Sequence, residues 1–139
     1  MPKMKKPEFK HASVMLVDDN EIDNFINQKM IEGCHFAERV YVHTSSKSAL
    51  EFYLNLVRAE GIPPELFPSV IFLDINMPIM DGFQFLDEFE KIPLKYRENT
   101  RVVMLTTSIN PIDIESSKKN KHVKGFLNKP LTKEHLDSL

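Results

Sequence analysis

Cysteine, long apolar stretches and a surplus of one charge are scarce in this chain, and each shortage excludes a class of protein. Cys34 is the only cysteine among 139 residues, so no disulfide can form within the chain, which fits a reducing compartment. No apolar run approaches the ~20 residues that a bilayer-spanning helix needs. The 18 basic and 20 acidic side chains give a net charge of −2, which provides no global attraction to nucleic acid. We therefore expect a cytoplasmic protein that neither inserts into membranes nor binds nucleic acid.

The N-terminal segment is rich in lysine, but no apolar segment follows the lysines, so it does not have the pattern of a secretory signal. We predict a flexible N-terminal tail over residues 1–12. Residues 13–139 are long enough to bury a core without disulfides and are predicted to form one domain.

Short apolar runs alternate with helical patterns five times along the chain. The predicted strands are Ser13–Val17, Arg39–His43, Val70–Asp74, Arg101–Thr106 and Lys124–Asn128. Strands separated by helices imply right-handed crossovers and a parallel sheet. The fold class predicted is therefore α/β, a flavodoxin-like (βα)5 doubly wound sheet with strand order 2-1-3-4-5.

The helical patterns begin with signals typical of helix N-termini. The first predicted helix runs from Glu21 to Glu32, and its apolar residues at helical spacing are Ile22, Phe25, Ile26 and Met30. The second follows Ser45 or Ser46, and the third begins near Gly82. The fourth opens at Asn110-Pro111 and the fifth at Thr132.

Polar side chains follow the strands at the edge of the sheet where α/β proteins place their chemistry. They are Asp18, Asp19, Asp74, Thr106 and Lys129. Three carboxylates suit Mg²⁺, which prefers oxygen ligands. The lysine would pair with an anion brought by a ligand, or with Asp74 itself in the empty site, and the threonine hydroxyl can donate to a phosphoryl oxygen. These residue types suit the handling of a phosphoryl group. The sequence contains no Gly-rich nucleotide-binding loop, so the phosphoryl group is not expected to belong to a bound nucleotide.

Four motifs carry a resemblance to a known family. They are Val17-Asp18-Asp19-Asn20, Leu73-Asp74-Ile75-Asn76-Met77-Pro78 with Asp81-Gly82, Met104-Leu105-Thr106-Thr107, and Gly125-Phe126-Leu127-Asn128-Lys129-Pro130. Together they resemble the receiver domain of two-component response regulators, of the CheY-like type, over roughly Val14 to Leu136. No output domain follows in this sequence, so we expect a single-domain response regulator. The short last helix also fits a piece of a longer protein, and both alternatives stay open.

The resemblance implies a phosphorylation-controlled signalling switch with Asp74 as the phospho-acceptor. Mg²⁺ would be held by Asp19 directly, by Asp18 largely through water, by Asp74, and by the backbone carbonyl of Asn76. Lys129 would stabilise the phosphoryl charge. Such a domain catalyses only its own aspartyl phosphorylation and dephosphorylation, and it is not an enzyme acting on a separate substrate.

The resemblance also implies a switch and two partners. Thr106 would move toward the phosphoryl group, and Phe126 would turn into the space that it leaves. The donor would be a sensor histidine kinase or a histidine phosphotransfer protein. A downstream protein would bind the face formed by the fourth predicted helix, the fifth strand and the fifth helix. The Lys129–Pro130 bond is predicted to be cis, and Thr107 stands where the family usually has a small residue.

Three other functions compete with this interpretation. A Mg²⁺-dependent aspartyl-nucleophile phosphatase of the haloacid-dehalogenase type needs an acid two residues after the nucleophile, where this chain has Asn76. A phosphorylation-independent interaction module with the receiver fold would typically lack an acid or the lysine, and both are present. A flavin-binding electron carrier would need a neutral or donor-rich first loop, and this one begins with Asp18 and Asp19.

Overall fold

The structure, a computed structural model, describes residues 8–108 and 110–139. Within these ranges five parallel strands form one sheet in the order β2-β1-β3-β4-β5, which confirms the predicted fold class and topology. The strands are β1 (His11–Val17), β2 (Ala37–His43), β3 (Val70–Leu73), β4 (Arg101–Thr106) and β5 (Val123–Asn128). His11 and Ala12, which the sequence assigned to the tail, belong to β1, and residues 1–7 of that tail lie outside the described residues.

The connections between strands contain helices at the predicted places. They are α1 (Glu21–Gly33), α2 (Ser46–Arg58), α3 (Gly82–Glu90), α4 (Leu94–Arg97), α5 (Pro111–Lys119) and α6 (Lys133–Asp137), with a 3₁₀ turn at Pro64–Leu66. The one-turn helix α4 was not predicted, so the fourth and fifth predicted helices are α5 and α6. At the N-terminus of each helix except α4 a side-chain oxygen of the N-cap residue accepts a backbone N–H of the first turn; these caps are Asn20, Ser45, Asp81, Asn110 and Thr132.

The core consists of two apolar layers, one on each face of the sheet, because successive strand residues point to opposite faces. Met15 and Val17 of β1 contribute to the layer covered by α2 and α3. Val14 and Leu16 contribute to the layer covered by α1 and α6. The central strand β3 is buried along its whole length, as expected for a parallel strand with helices on both faces. Among the described residues, none of the helices has the length and apolar content needed to cross a membrane.

Helix α1 does not bury the face that its apolar spacing predicts. Ile22 is 72% exposed, Phe25 60% and Ile26 45%. The side chains that α1 buries are Asn24, Asn27 and Ile31. Two of these three are polar. Of the predicted apolar stripe, Met30 packs partly buried against the core, and Ile22, Phe25 and Ile26 are left on the surface.

Candidate functional site

The structure brings the three predicted acids together at the carboxyl ends of β1 and β3. Val17 and Leu73 are partners in the parallel ladder, so the residues that follow them lie side by side. The backbone N–H of Asp74 donates to the carbonyl of Val17 at 3.0 Å, which fixes this arrangement. One carboxylate oxygen from each of Asp18, Asp19 and Asp74 lies within 4.8 Å of the others. Asp18 and Asp74 are buried, whereas Asp19 is exposed.

Lys129 reaches into this acid cluster from the end of β5. Its ammonium contacts Asp18 Oδ2 and lies 3.0 Å from Asp23 Oδ2 and 3.5 Å from Asp74 Oδ2. The lysine side chain is 7% exposed. The expectation that Lys129 pairs with Asp74 is therefore confirmed, and Asp18 and Asp23 are additional, nearer partners of the ammonium. The peptide bond between Lys129 and Pro130 is cis, as predicted.

Asp18 and Lys129 each have a pKa above the ordinary value for their residue type. Burial raises the pKa of Asp18, and the neighbouring negative charge of Asp74 raises it further. The hydrogen bonds from Lys129 and from the Asn20 N–H lower this pKa, but they do not offset the increase. Burial by itself lowers the pKa of Lys129, but its contacts with Asp18, Asp23 and Asp74 outweigh burial and raise that pKa above the ordinary value. Both groups thus hold their protons more tightly than in water, Asp18 mainly because it is buried and Lys129 because three carboxylates surround its ammonium.

Asp23, which the sequence interpretation missed, belongs to this site because α1 is tied to two strand ends by polar contacts. Asn24 Nδ2 donates to the carbonyl of Asp18 at 2.8 Å. The backbone N–H of Leu131, just past Lys129, donates to Asn27 Oδ1 at 2.9 Å. The spacing of Asp23, Asn24 and Asn27 along one helix face was the available signal, and the more prominent apolar spacing obscured it.

The two predicted switch residues lie on neighbouring strands. Thr106 is fully buried at the end of β4, and its Oγ1 accepts the backbone N–H of Ser108 at 3.2 Å. Phe126 of β5 pairs in register with Met104 and packs half-buried against the α2–α3 side of the core. A cavity of about 410 Å³ between α5 and β5 is lined by Phe126 and Ser117. The structure thus places free space next to Phe126, and its role as a switch remains a prediction.

The loop from β3 to α3 begins at Asp74 and is held close to it. Asn76 is exposed, and the proposed role of its carbonyl remains a prediction. Ile79 has a φ of 70° in a tight turn closed by a 2.8 Å hydrogen bond from Met80 N–H to the Pro78 carbonyl. A β-branched residue rarely adopts this left-handed conformation. Gly82 approaches so closely that a Cβ built on it would lie 2.6 Å from the carbonyl oxygen of Asp74.

The residues present fit a divalent cation. All the donors are oxygens, and the three carboxylates can approach one ion together. Asp18 Oδ1 accepts the Asn20 N–H at 2.9 Å, which orients the carboxylate. Clustered buried carboxylates repel one another, and a cation relieves this repulsion. The site is therefore suited to Mg²⁺ in its donor set and in its charge.

The chain is similar to known proteins over nearly its whole length. The sequence model of the family described as "Response regulator receiver domain" matches residues 14–139. The probable methanogenesis regulatory protein FilR2 of Methanothrix harundinacea is 32% identical over 126 residues, which are 88% of this chain and 75% of that protein. The crystal structure of a two-component response regulator from Cytophaga hutchinsonii superposes with a TM-score of 0.81 at 30% identity, covering 92% of each chain. The Mn²⁺-bound form of the response regulator Rcp1, a protein of Synechocystis, superposes with a TM-score of 0.69 at 27% identity over 91% of this chain and 88% of that one. This chain therefore belongs to the response regulator receiver domain family of two-component signalling.

Proposed function

We propose that this receiver domain accepts a phosphoryl group from a phosphohistidine onto Asp74, with Mg²⁺ held by Asp18, Asp19, Asp74 and the carbonyl of Asn76. The observation that carries the proposal is the buried carboxylate of Asp74 beside two further carboxylates and the ammonium of Lys129. This arrangement combines a nucleophilic oxygen with groups that can balance the charge of a phosphoryl group.

In the proposed transfer, an oxygen of Asp74 attacks phosphorus and forms the new P–O bond. The P–N bond of the phosphohistidine breaks, and its electron pair stays on the imidazole nitrogen, which takes up a proton. When bound, Mg²⁺ supplies charge neutralisation for the phosphoryl oxygens. Lys129 supplies a second positive charge, since its ammonium already lies 3.5 Å from Asp74 Oδ2. In the later dephosphorylation, water attacks phosphorus and loses a proton to solvent. The P–O bond to Asp74 breaks, its electron pair returns to the carboxylate, and inorganic phosphate leaves.

An exposed apolar face beside the acid cluster supports a protein as the donor. Ile22, Phe25 and Ile26 are exposed on α1, and Ile26 lines a cavity of about 190 Å³ together with Asp23 and Lys129. A small-molecule donor requires only the pocket, whereas apolar side chains at its rim stabilise contact with a protein surface. This arrangement supports a phosphohistidine presented by a histidine kinase or by a phosphotransfer protein.

The experiment that tests the acceptor is phosphorylation with acetyl phosphate and Mg²⁺, followed by mass spectrometry. The wild type should gain the mass of one phosphoryl group, which hydroxylamine removes because it is an acyl phosphate. Asp74→Asn should gain none. Asp87→Asn, which neutralises an exposed acid on α3, is the matched control and should behave like the wild type. Uptake by Asp74→Asn at the wild-type rate would overturn the assignment.

The output is proposed to pass through the face formed by α5, β5 and α6. Helix α5 is weakly anchored, since Ser117 is the side chain that it buries and Ile112 is 72% exposed. Phe126 borders the cavity between α5 and β5, and Lys118 and Lys124 stand at its rim. A weakly anchored helix beside free space can change position at low cost, which suits a two-state switch.

Hydrogen exchange with and without beryllofluoride, which mimics a bound phosphoryl group, tests this output face. The amides of α5 and β5 should change their protection in the wild type, and they should not change in Asp74→Asn. Protection changes confined to the loops after β1 and β3 would show that the signal leaves by another route.

The remaining expectations belong to the same proposal. The domain catalyses only its own phosphorylation and dephosphorylation and works in the cytoplasm beside its kinase. Its output partner is a protein. Asn76 follows Asp74 at the position where an aspartyl phosphatase requires its general acid, and an amide cannot provide that proton.

A further inference from the structure

The ammonium of Lys129 occupies an oxygen that the proposed metal ion needs. Asp18 Oδ1 already accepts the backbone N–H of Asn20, so Oδ2 is the oxygen of that carboxylate that has no backbone donor among the described residues. This same Oδ2 contacts Lys129 Nζ. A cation, or a water bound to it, therefore competes with Lys129 for Asp18.

A buried ammonium that loses one carboxylate needs another, because an unpaired buried charge is costly. Asp23 Oδ2 lies 3.0 Å from Lys129 Nζ and accepts a hydrogen bond from it. Lys129 can therefore leave Asp18 without moving out into solvent. Its charge also stays near Asp74, where the proposed transfer requires it.

We propose that Asp23 is a positioning residue that receives Lys129 when a divalent cation takes its place on Asp18. This inference rests on the proposed function, because it assumes that the acid cluster binds a metal ion. In this role Asp23 sets the affinity of the acid cluster for the cation. The receiver fold would form without such a residue.

The surroundings of Asp23 hold its carboxylate in place for this task. Its backbone N–H donates to the side chain of Asn20, which caps α1. Asn24 and Asn27 join the same helix to the backbone after β1 and after β5, the two segments that carry Asp18 and Lys129. The carboxylate of Asp23 is 30% exposed and needs less desolvation than Asp18 does, so it can hold a charge at lower cost.

The test is a Mg²⁺ titration followed by amide chemical shifts in the wild type, Asp23→Asn and the matched control Glu21→Gln. Glu21 lies in the same helical turn, is exposed and has no ion pair among the described residues, so its removal measures the general loss of one negative charge. Asp23→Asn should weaken Mg²⁺ binding by roughly three- to tenfold, the range expected for losing one ordinary hydrogen bond, because the Asp23 carboxylate is partly exposed. Glu21→Gln should weaken it less than twofold, because an exposed charge is screened.

Two further variants show whether Asp23 acts by positioning Lys129 or only by supporting the local structure. In a Lys129→Gln background the ammonium no longer competes, so Asp23→Asn should then weaken Mg²⁺ binding no more than Glu21→Gln does. Asp23→Glu keeps the charge and should recover at least part of the affinity. Equal affinities of Asp23→Asn and Glu21→Gln would overturn the inference, and so would an undiminished effect of Asp23→Asn in the Lys129→Gln background. Failure of the wild type to bind Mg²⁺, or of Asp19→Asn to weaken that binding, would instead overturn the proposed function.

Discussion

Gly82 lies where α3 begins against the strand end that carries Asp74, and replacing it with alanine should destabilise the domain. A Cβ at this position would lie 2.6 Å from the Asp74 carbonyl oxygen and 3.0 Å from Ile75 Cα. Both atoms are backbone and cannot rotate away, whereas Met104 Cε at 3.2 Å is the end of a flexible side chain. Either α3 or the loop after β3 must therefore move.

The expected cost follows from two opposing contributions. Forcing an extra methyl group into a packed site costs about 1–3 kcal/mol. Alanine in place of glycine within a helix returns up to about 1 kcal/mol. The net destabilisation of Gly82→Ala should therefore be about 0–3 kcal/mol. Its centre, about 1.5 kcal/mol, corresponds to a melting temperature lower by roughly 4–8 °C.

Gly33→Ala is the matched control for this prediction. Gly33 is the last residue of α1, and a Cβ built there has nothing within 4 Å. This substitution should leave stability unchanged or raise it by about 0.5–1 kcal/mol. Urea unfolding followed by circular dichroism measures both variants. If Gly82→Ala proves as stable as Gly33→Ala, the close approach of α3 to Asp74 is wrong.

Three further changes should have measurable effects. Lys129→Gln should lower the metal-free stability by about 3 kcal/mol, because Asp18 and Asp74 lose their buried cation; urea unfolding in chelator measures this loss, and an unchanged midpoint would contradict the ion pairs. Burial, with the charges of Arg101 and Lys10, lowers the pKa of His11 below its ordinary 6.5, so the folded state binds fewer protons than the unfolded state below that pH. Stability present above about pH 6.5 is then lost as the pH falls toward the folded pKa, and the melting temperature of His11→Gln should fall less on acidification than that of the wild type. Ile79→Asn should raise the free energy of unfolding by about 1 kcal/mol, since asparagine tolerates the left-handed conformation of this fully exposed position, and a lower melting temperature would argue against strain there.

Much of the fold could be predicted because, in most strands and helices, the apolar pattern of the sequence agrees with the face that is buried in the folded protein. The strands are short apolar runs bounded by polar residues, and the burial of β3 confirms this pattern. In α3 the apolar residues Phe85, Leu86 and Phe89, which follow helical spacing, are all buried. The acids could be placed together because the ends of parallel strands meet at one edge, which depends on topology and not on side-chain detail.

The failures occur where polar contacts decide the packing. Helix α1 follows the hydrogen bonds of Asn24 and Asn27 to the backbone after β1 and β5, and no periodicity analysis predicts such pairings across the chain. Asp23 was missed for the same reason, since its partner Lys129 is 106 residues away in the sequence. The single turn α4 is too short to produce a periodic signal.

The division of α1 into a buried face that carries Asn24 and Asn27 and an exposed face that carries Ile22 and Phe25 separates two kinds of change that the protein can undergo. Substitutions at Asn24 or Asn27 alter the hydrogen bonds that hold the site, whereas exposed Ile22 and Phe25 can change with little effect on stability. Under the proposed function, a lineage could therefore acquire a new phosphoryl donor through the outer residues of this helix while retaining the acid cluster. Duplicated copies of such a gene could diverge in their signalling partners without passing through an unfolded or inactive intermediate.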